Sequence, residues 1–91
     1  MNLYQIDDGE LHWVSAESEE AALKVFATQC KEWCLNDYEV NEHLEFATIH
    51  QLTDSDGDRI DYYADTTRVS SMWQEFERDQ SERYIACSEW L

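Results

Sequence analysis

Apolar residues recur at spacings of three and four through residues 18–35, the stretch SEEAALKVFATQCKEWCL. Ala22, Leu23, Phe26, Cys30, Trp33 and Cys34 fall on one side of a helix, with Glu20, Lys24, Gln29, Lys31 and Glu32 on the other. Ser18 supplies an N-cap, and Glu19 and Glu20 sit in the first turn, where the helix dipole favours negative charge. Before this helix the period changes. Residues 2–16 read as two strands about Asp8-Gly9, a favoured two-residue hairpin turn flanked by Asp7 and Glu10. That turn predicts Ile6 opposite Leu11 and Tyr4 opposite Trp13, four residues that form the apolar face receiving the helix. Leu3, Val14 and Ala16, diluted by Gln5 and His12, form the other face.

After the helix, residues 36–45 (NDYEVNEHLE) are polar and acidic and read as a connection. Residues 45–53 then have strand character, with Phe46, Thr48, His50 and Leu52 on one face and Ala47, Ile49 and Gln51 on the other. The segment DSDGD turns the chain, and residues 59–64 (RIDYYA) return as the partner strand. A short second helix begins at Asp65, Thr66 or Thr67, and Val69, Met72, Trp73 and Phe76 keep the spacing of one buried side. Residues 83–90 (RYIACSEW) are a last strand, with Tyr84, Ala86 and Ser88 alternating against Ile85, Cys87 and Glu89. The pattern predicts one α+β domain over residues 1–91, a mostly antiparallel sheet in the order β-β-α-β-β-α-β with helices on one face. There is no proline and no repeat, and nothing marks a domain boundary.

Charge changes this picture more than composition does. Twenty-one Asp and Glu against six Lys and Arg leave a formal charge of −15 on 91 residues. Solubility of a small domain asks for about 2–8 units. Apolar residues make up 43% of the chain, so it has a core to bury and is not a disordered acidic tail. Such a surface repels nucleic acid and anionic membranes and favours basic proteins or cations. Three cysteines give no paired framework and point to a reducing compartment. The start MNLYQIDD lacks a signal-peptide pattern, and no apolar run is long enough for a bilayer, so the expected location is cytoplasmic.

Candidate chemistry is sparse. The turn Asp54-Ser55-Asp56-Gly57-Asp58 invites a calcium reading, but an EF-hand loop starting at Asp54 places Arg59 where glycine belongs and Asp61 at the apolar position. Its last ligand position falls on Asp65 instead of glutamate, so a hairpin turn is the better account. Cys30 and Cys34 lie within the apolar stripe, Cys87 alternates within a strand, and both patterns fit core packing better than metal ligation. His12, His43 and His50 show no partner spacing that makes a nucleophile, so no enzyme and no cofactor is expected. The carboxylates are the remaining candidate. Same-face strand residues repeat at about 6.5–7 Å, comparable with the phosphate repeat of a nucleic-acid backbone. Asp7, Asp8 and Glu10 at one hairpin tip, and Asp54, Asp56, Asp58 and Asp61 at the other, form the expected leading edge of a nucleic-acid mimic. Exposed aromatics among Trp90, Tyr38 and Tyr63 would add contact energy.

The opening LYQIDDGELHWVSAESEEAAL resembles small accessory proteins of bacteriophages and prophages, which begin with a strand, an acidic turn, a second strand and a Ser-capped, Glu-rich helix. The closing IACSEW is similar to their last strand. The likeness spans the first 25 and last 10 residues or so and carries over no functional residue. It implies an inhibitor of host defence, of the anti-CRISPR or anti-restriction kind, acting on the basic surface of a host nucleic-acid-binding complex. Direct nucleic-acid or membrane binding is not expected. The alternative is a protein-binding module that uses an apolar sheet face, a homodimer being one version, with the charge serving only solubility.

Overall fold

The computed structural model describes residues 1–33, 42, 44–53, 61–63 and 69–88. Strands β1 (Asn2–Asp7), β2 (Leu11–Ala16), β3 (Thr48–Gln51) and β6 (Arg83–Cys87) form an antiparallel sheet in the order β3-β1-β2-β6. Strands β4 (Asp61–Tyr63) and β5 (Val69–Ser71) pair as a separate two-stranded ribbon. Helix α1 (Glu19–Trp33) follows β2, and helix α2 (Met72–Arg78) precedes β6. The α+β class holds, and the described order is β-β-α-β-β-β-α-β.

The hairpin register differs from expectation by one residue. Asp7 pairs with Leu11, Ile6 with His12, Gln5 with Trp13 and Tyr4 with Val14, leaving three residues in the turn. Side chains explain the longer loop. Asp7 Oδ1 accepts from the Gly9 amide at 3.0 Å, Asp8 Oδ1 accepts from the Glu10 amide at 3.2 Å, and Gly9 takes φ of 108°. A strand has period two, so this slip sends every β2 side chain to the opposite face. Tyr4 and Ile6 do lie under α1, joined by Val14 and Ala16 instead of Leu11 and Trp13. Trp13 and Leu11 pack with Leu3, Leu52, Met72, Phe76, Ile85 and Ala86 in a second cluster against α2. The sheet therefore carries a helix on each face, not both on one.

Helix α1 begins as its sequence dictates, with the Ser18 hydroxyl accepting from the Ala21 amide. Ala22, Phe26 and Cys30 are buried against the sheet. Phe46 is a correction: residues 44–46 are helical, β3 starts only at Thr48, and the Phe46 ring is 70% exposed. Another concerns pairing. Residues 61–63 pair with β5, while β3 is a sheet edge hydrogen-bonded to β1. Helix α2 starts later than expected, at Met72, because Ser71 and Gln74 close a reciprocal capping box. Val69 thus belongs to β5, while Met72 and Phe76 are buried as the spacing predicted. In β6 the register shifts between Trp13 and Val14, whose partners are Ala86 and Tyr84, so Ile85 is the extra residue of a bulge.

Gly9→Ala should cost about 1–3 kcal/mol, since its φ lies where L side chains are strained. Phe26→Ala should cost about 3–5 kcal/mol through loss of a fully buried ring. Urea unfolding midpoints measure both, and an unshifted midpoint for Gly9→Ala would discredit the three-residue turn.

Candidate functional site

Two features of the described residues are candidates, and both start at the β1–β2 turn. The first is the acidic end of the sheet. Asp7 and Glu10 are exposed there, and the pairing of Asp7 with Thr48 brings Glu45 and Phe46, both exposed, to the same end. No Lys or Arg occurs in residues 5–13, 44–50 or 86–88, described segments that strand pairing brings to this end. The opposite end is mixed. Glu17, Glu19, Glu20 and Glu82 gather there through the pairing of Asn2 with Ala16 and Ser15 with Arg83, but cations lie among them.

Of the six Lys and Arg, Arg59 and Arg68 lie outside the described residues, and Lys31 is exposed in the last turn of α1. Lys24 sits 3.8 Å from Glu20, Arg78 2.9 Å from Glu75 and Arg83 3.5 Å from Asp79. Arg83 also donates to the Glu75 carbonyl oxygen at 2.8 Å, tying β6 to α2. Asp54, Asp56, Asp58, Tyr38 and Trp90 lie outside the described residues, and Asp61 and Tyr63 are placed by backbone only, in β4.

Asp8 behaves differently from its neighbours. Its side chain is only 8% exposed and turns inward, its Oδ1 lying 2.9 Å from His12 Nε2. It is therefore a structural carboxylate, not an outward-facing part of the leading edge.

His12 is the second candidate, and sequence reasoning missed it by treating it as a polar dilution of the face away from the helix. The register shift places it on the α1 side of β2 with 2% exposure, its ring 4.8 Å from that of Phe26. A buried imidazole needs partners on both nitrogens. Nε2 faces Asp8, and Nδ1 lies 2.7 Å from the Tyr84 hydroxyl on β6. A carboxylate only accepts, so in the neutral ring Nε2 carries the proton and Nδ1 accepts from Tyr84. Tyr84 is held protonated well above the usual phenol range. Burial is the main cause, followed by the neighbouring Cys87 thiol, Cys30 and the Asp8 charge. Cys87 is the register partner of His12, and both it and Cys30 are buried free thiols. The signal in the sequence was the Asp8-x-x-x-His12 spacing, legible only once the turn is known to hold three residues.

This hydroxyl, imidazole and carboxylate stand in the order used for nucleophile activation. The hydroxyl here is a phenol that burial holds protonated, and it donates its hydrogen bond to the neutral ring. Tyr84 also lines an open groove of about 350 Å³ between α1 and the start of β6, with Lys24, Val25, Thr28, Gln29 and Glu82. Among the described residues no three His, Cys, Asp or Glu side chains gather as metal ligands, and no helix is long and apolar enough to cross a membrane. Comparison of the chain with protein-family models, curated proteins and solved structures finds no match.

Tyr84→Phe should destabilise the fold by about 1–3 kcal/mol at neutral pH, because it leaves buried His12 Nδ1 without that donor. The phenol holds its proton more tightly folded than unfolded, so its contribution is intact below the ordinary phenol range near pH 10. Above that range the unfolded chain sheds the proton first, and the contribution falls. The stability gap between the native protein and Tyr84→Phe should therefore narrow as pH rises past about 10, as read from urea midpoints; a constant gap would contradict this.

Proposed function

We propose that this chain is a cytoplasmic acidic interaction protein that offers the hairpin end of its sheet to the basic surface of a nucleic-acid-binding protein, competing there with nucleic acid. The observation that carries the reading is the exposure of acid at that end: Asp7, Glu10 and Glu45 are exposed, on described segments without Lys or Arg, in a chain of formal charge −15. Carboxylates held on a strand end, a tight turn and a helical residue lose little freedom on binding, so their field is available to steer a cationic partner. Phe46, exposed beside Glu45, supplies apolar contact next to the charge. The resemblance of the opening and closing segments to phage and prophage accessory proteins supports the narrower form, inhibition of a host defence complex that binds nucleic acid.

Recognition through an apolar sheet face is less favoured by the geometry. Leu3 and Trp13 on one side, and Tyr4, Ile6 and Val14 on the other, are buried beneath helices. Among the described residues the exposed large apolar side chains are Met1 and Phe46.

Affinity capture from bacterial lysate tests the proposal. Basic nucleic-acid-binding proteins should be retained at about 0.05 M salt, released by about 0.5 M salt and displaced by duplex DNA. Combining Asp7→Asn, Glu10→Gln and Glu45→Gln should weaken the retained interaction by about tenfold or more, with the urea midpoint preserved. Retention indifferent to salt, to DNA and to the triple substitution would refute it.

A further inference from the structure

We propose that the outer edge of β3 is a strand-docking site, where an extended, Lys- or Arg-bearing segment of the cationic partner adds to the sheet through the backbone of Ile49 and Gln51. The partner's charge rests on the reading of the acidic hairpin end; the strand edge supplies the contact that holds the partner once charge has brought it near. Among the described residues β3 has β1 on one side and no strand on the other. The phase of the β1–β3 ladder fixes which backbone groups face outward. The Leu52 amide donates to the Leu3 carbonyl oxygen at 2.8 Å, one step beyond the pairing of Tyr4 with Gln51. Antiparallel pairs alternate between those that exchange hydrogen bonds and those that do not. His50 and Thr48 therefore bond inward to Gln5 and Asp7, while Ile49 and Gln51 turn their N–H and C=O groups to the open side. Two amides and two carbonyls then stand about 6.5–7 Å apart along one edge, the arrangement that an added strand pairs with.

Sheet edges are usually guarded by Lys, Pro, a bulge or a covering segment. Strand β6, the other edge, has such guards: Arg83 at its start, a bulge at Ile85, and Ile85, Ala86 and Cys87 all buried. Strand β3 has none of them. Residues 46–53 (FATIHQLT) contain no Asp, Glu, Lys, Arg, Pro or Gly, in a chain that is 30% charged. The pairing with β1 runs without a register shift, and Thr48, His50 and Gln51 are exposed. Charge decides the occupant. A second copy of this chain would bring a formal charge of −15 against −15, and so short an edge offers few bonds to offset that repulsion. Glu45 is exposed just before β3, Asp7 pairs with Thr48 at the same end, and residues 44–53 hold no Lys or Arg. A segment with uncharged, β-branched residues against Ile49 and Gln51, and cations where it reaches Glu45, is complementary to both features.

The test is nuclear magnetic resonance of the full chain labelled with ¹⁵N, titrated at about 0.05 M salt with two synthetic peptides of equal charge. Each has a core of alternating Thr and Val flanked by Lys pairs; in the second, every core amide is N-methylated and both backbone edges lose their donors. The unmodified peptide should slow hydrogen exchange at the Ile49 and Gln51 amides and move signals of residues 47–53. The methylated peptide should bind about tenfold or more weakly and leave exchange at those two amides unchanged. Gln51→Pro removes an outward N–H at an exposed edge position, where proline is tolerated, and should erase most of the difference between the peptides. The two peptides decide the matter on the native chain should that variant fail to fold. Equal affinities without protection of Ile49 and Gln51 would overturn the docking edge and leave the charge reading standing. Binding of neither peptide would overturn it too, while the salt and DNA dependence of lysate capture still decides the charge reading. A dimer of the chain alone, with both amides already protected, would overturn it in favour of a second copy.

Discussion

The turn at Asp8, Gly9 and Glu10 decides how the two halves of the core are divided. Asp7 and Asp8 each bind an amide within the loop, and Gly9 accepts a backbone conformation closed to most residues. A three-residue loop results, and β2 is rotated relative to the pairing a two-residue loop would impose. Trp13 then faces α2, His12 faces α1, and the central strands become apolar on both sides. Burial of Tyr4, Ile6, Val14, Phe26 and Cys30 on one side, and of Leu3, Trp13, Met72 and Phe76 on the other, follows from that register.

The same rotation creates the one demanding polar position in the first cluster. An imidazole placed among Phe26, Val14 and Ile6 would be costly without partners. Asp8 and Tyr84 meet the need from opposite sides, so the carboxylate nearest the loop is consumed in holding the core. The acidic turn therefore has two roles. Asp8 is committed inward, while Asp7 and Glu10 remain at the surface. Trp13 meets the parallel need on the other face, its indole N–H donating to Gln5 at 3.2 Å.

Charge is distributed by function of position along the sheet. Toward α2 and the start of β6, cations are engaged by Glu75 and Asp79, and Asp79 is held below the usual carboxylate range, first by its side-chain hydrogen bond with Ser81. Among the described residues, 5–13 and 44–50 at the hairpin end carry Asp and Glu and no Lys or Arg. The hairpin end is the one proposed to meet a basic partner.

The amino-acid pattern by itself determined the α+β class, the Ser18-capped helix with its Ala22, Phe26 and Cys30 stripe, the buried spacing of Met72 and Phe76, and the excess of negative charge. These are local or summed properties: a helix period repeats within one segment, and a net charge needs no coordinates. Tertiary structure alone decided the hairpin register, the pairing of β3 with β1, the placing of α1 and α2 on opposite faces, and the enclosure of His12. Each of these depends on contacts between residues distant in sequence, such as His12 with Tyr84, or on one loop residue whose effect period two spreads along a whole strand. Leu11 and Trp13 are apolar in the pattern and pack in the core, but which helix they meet is set by the carboxylates that close the turn.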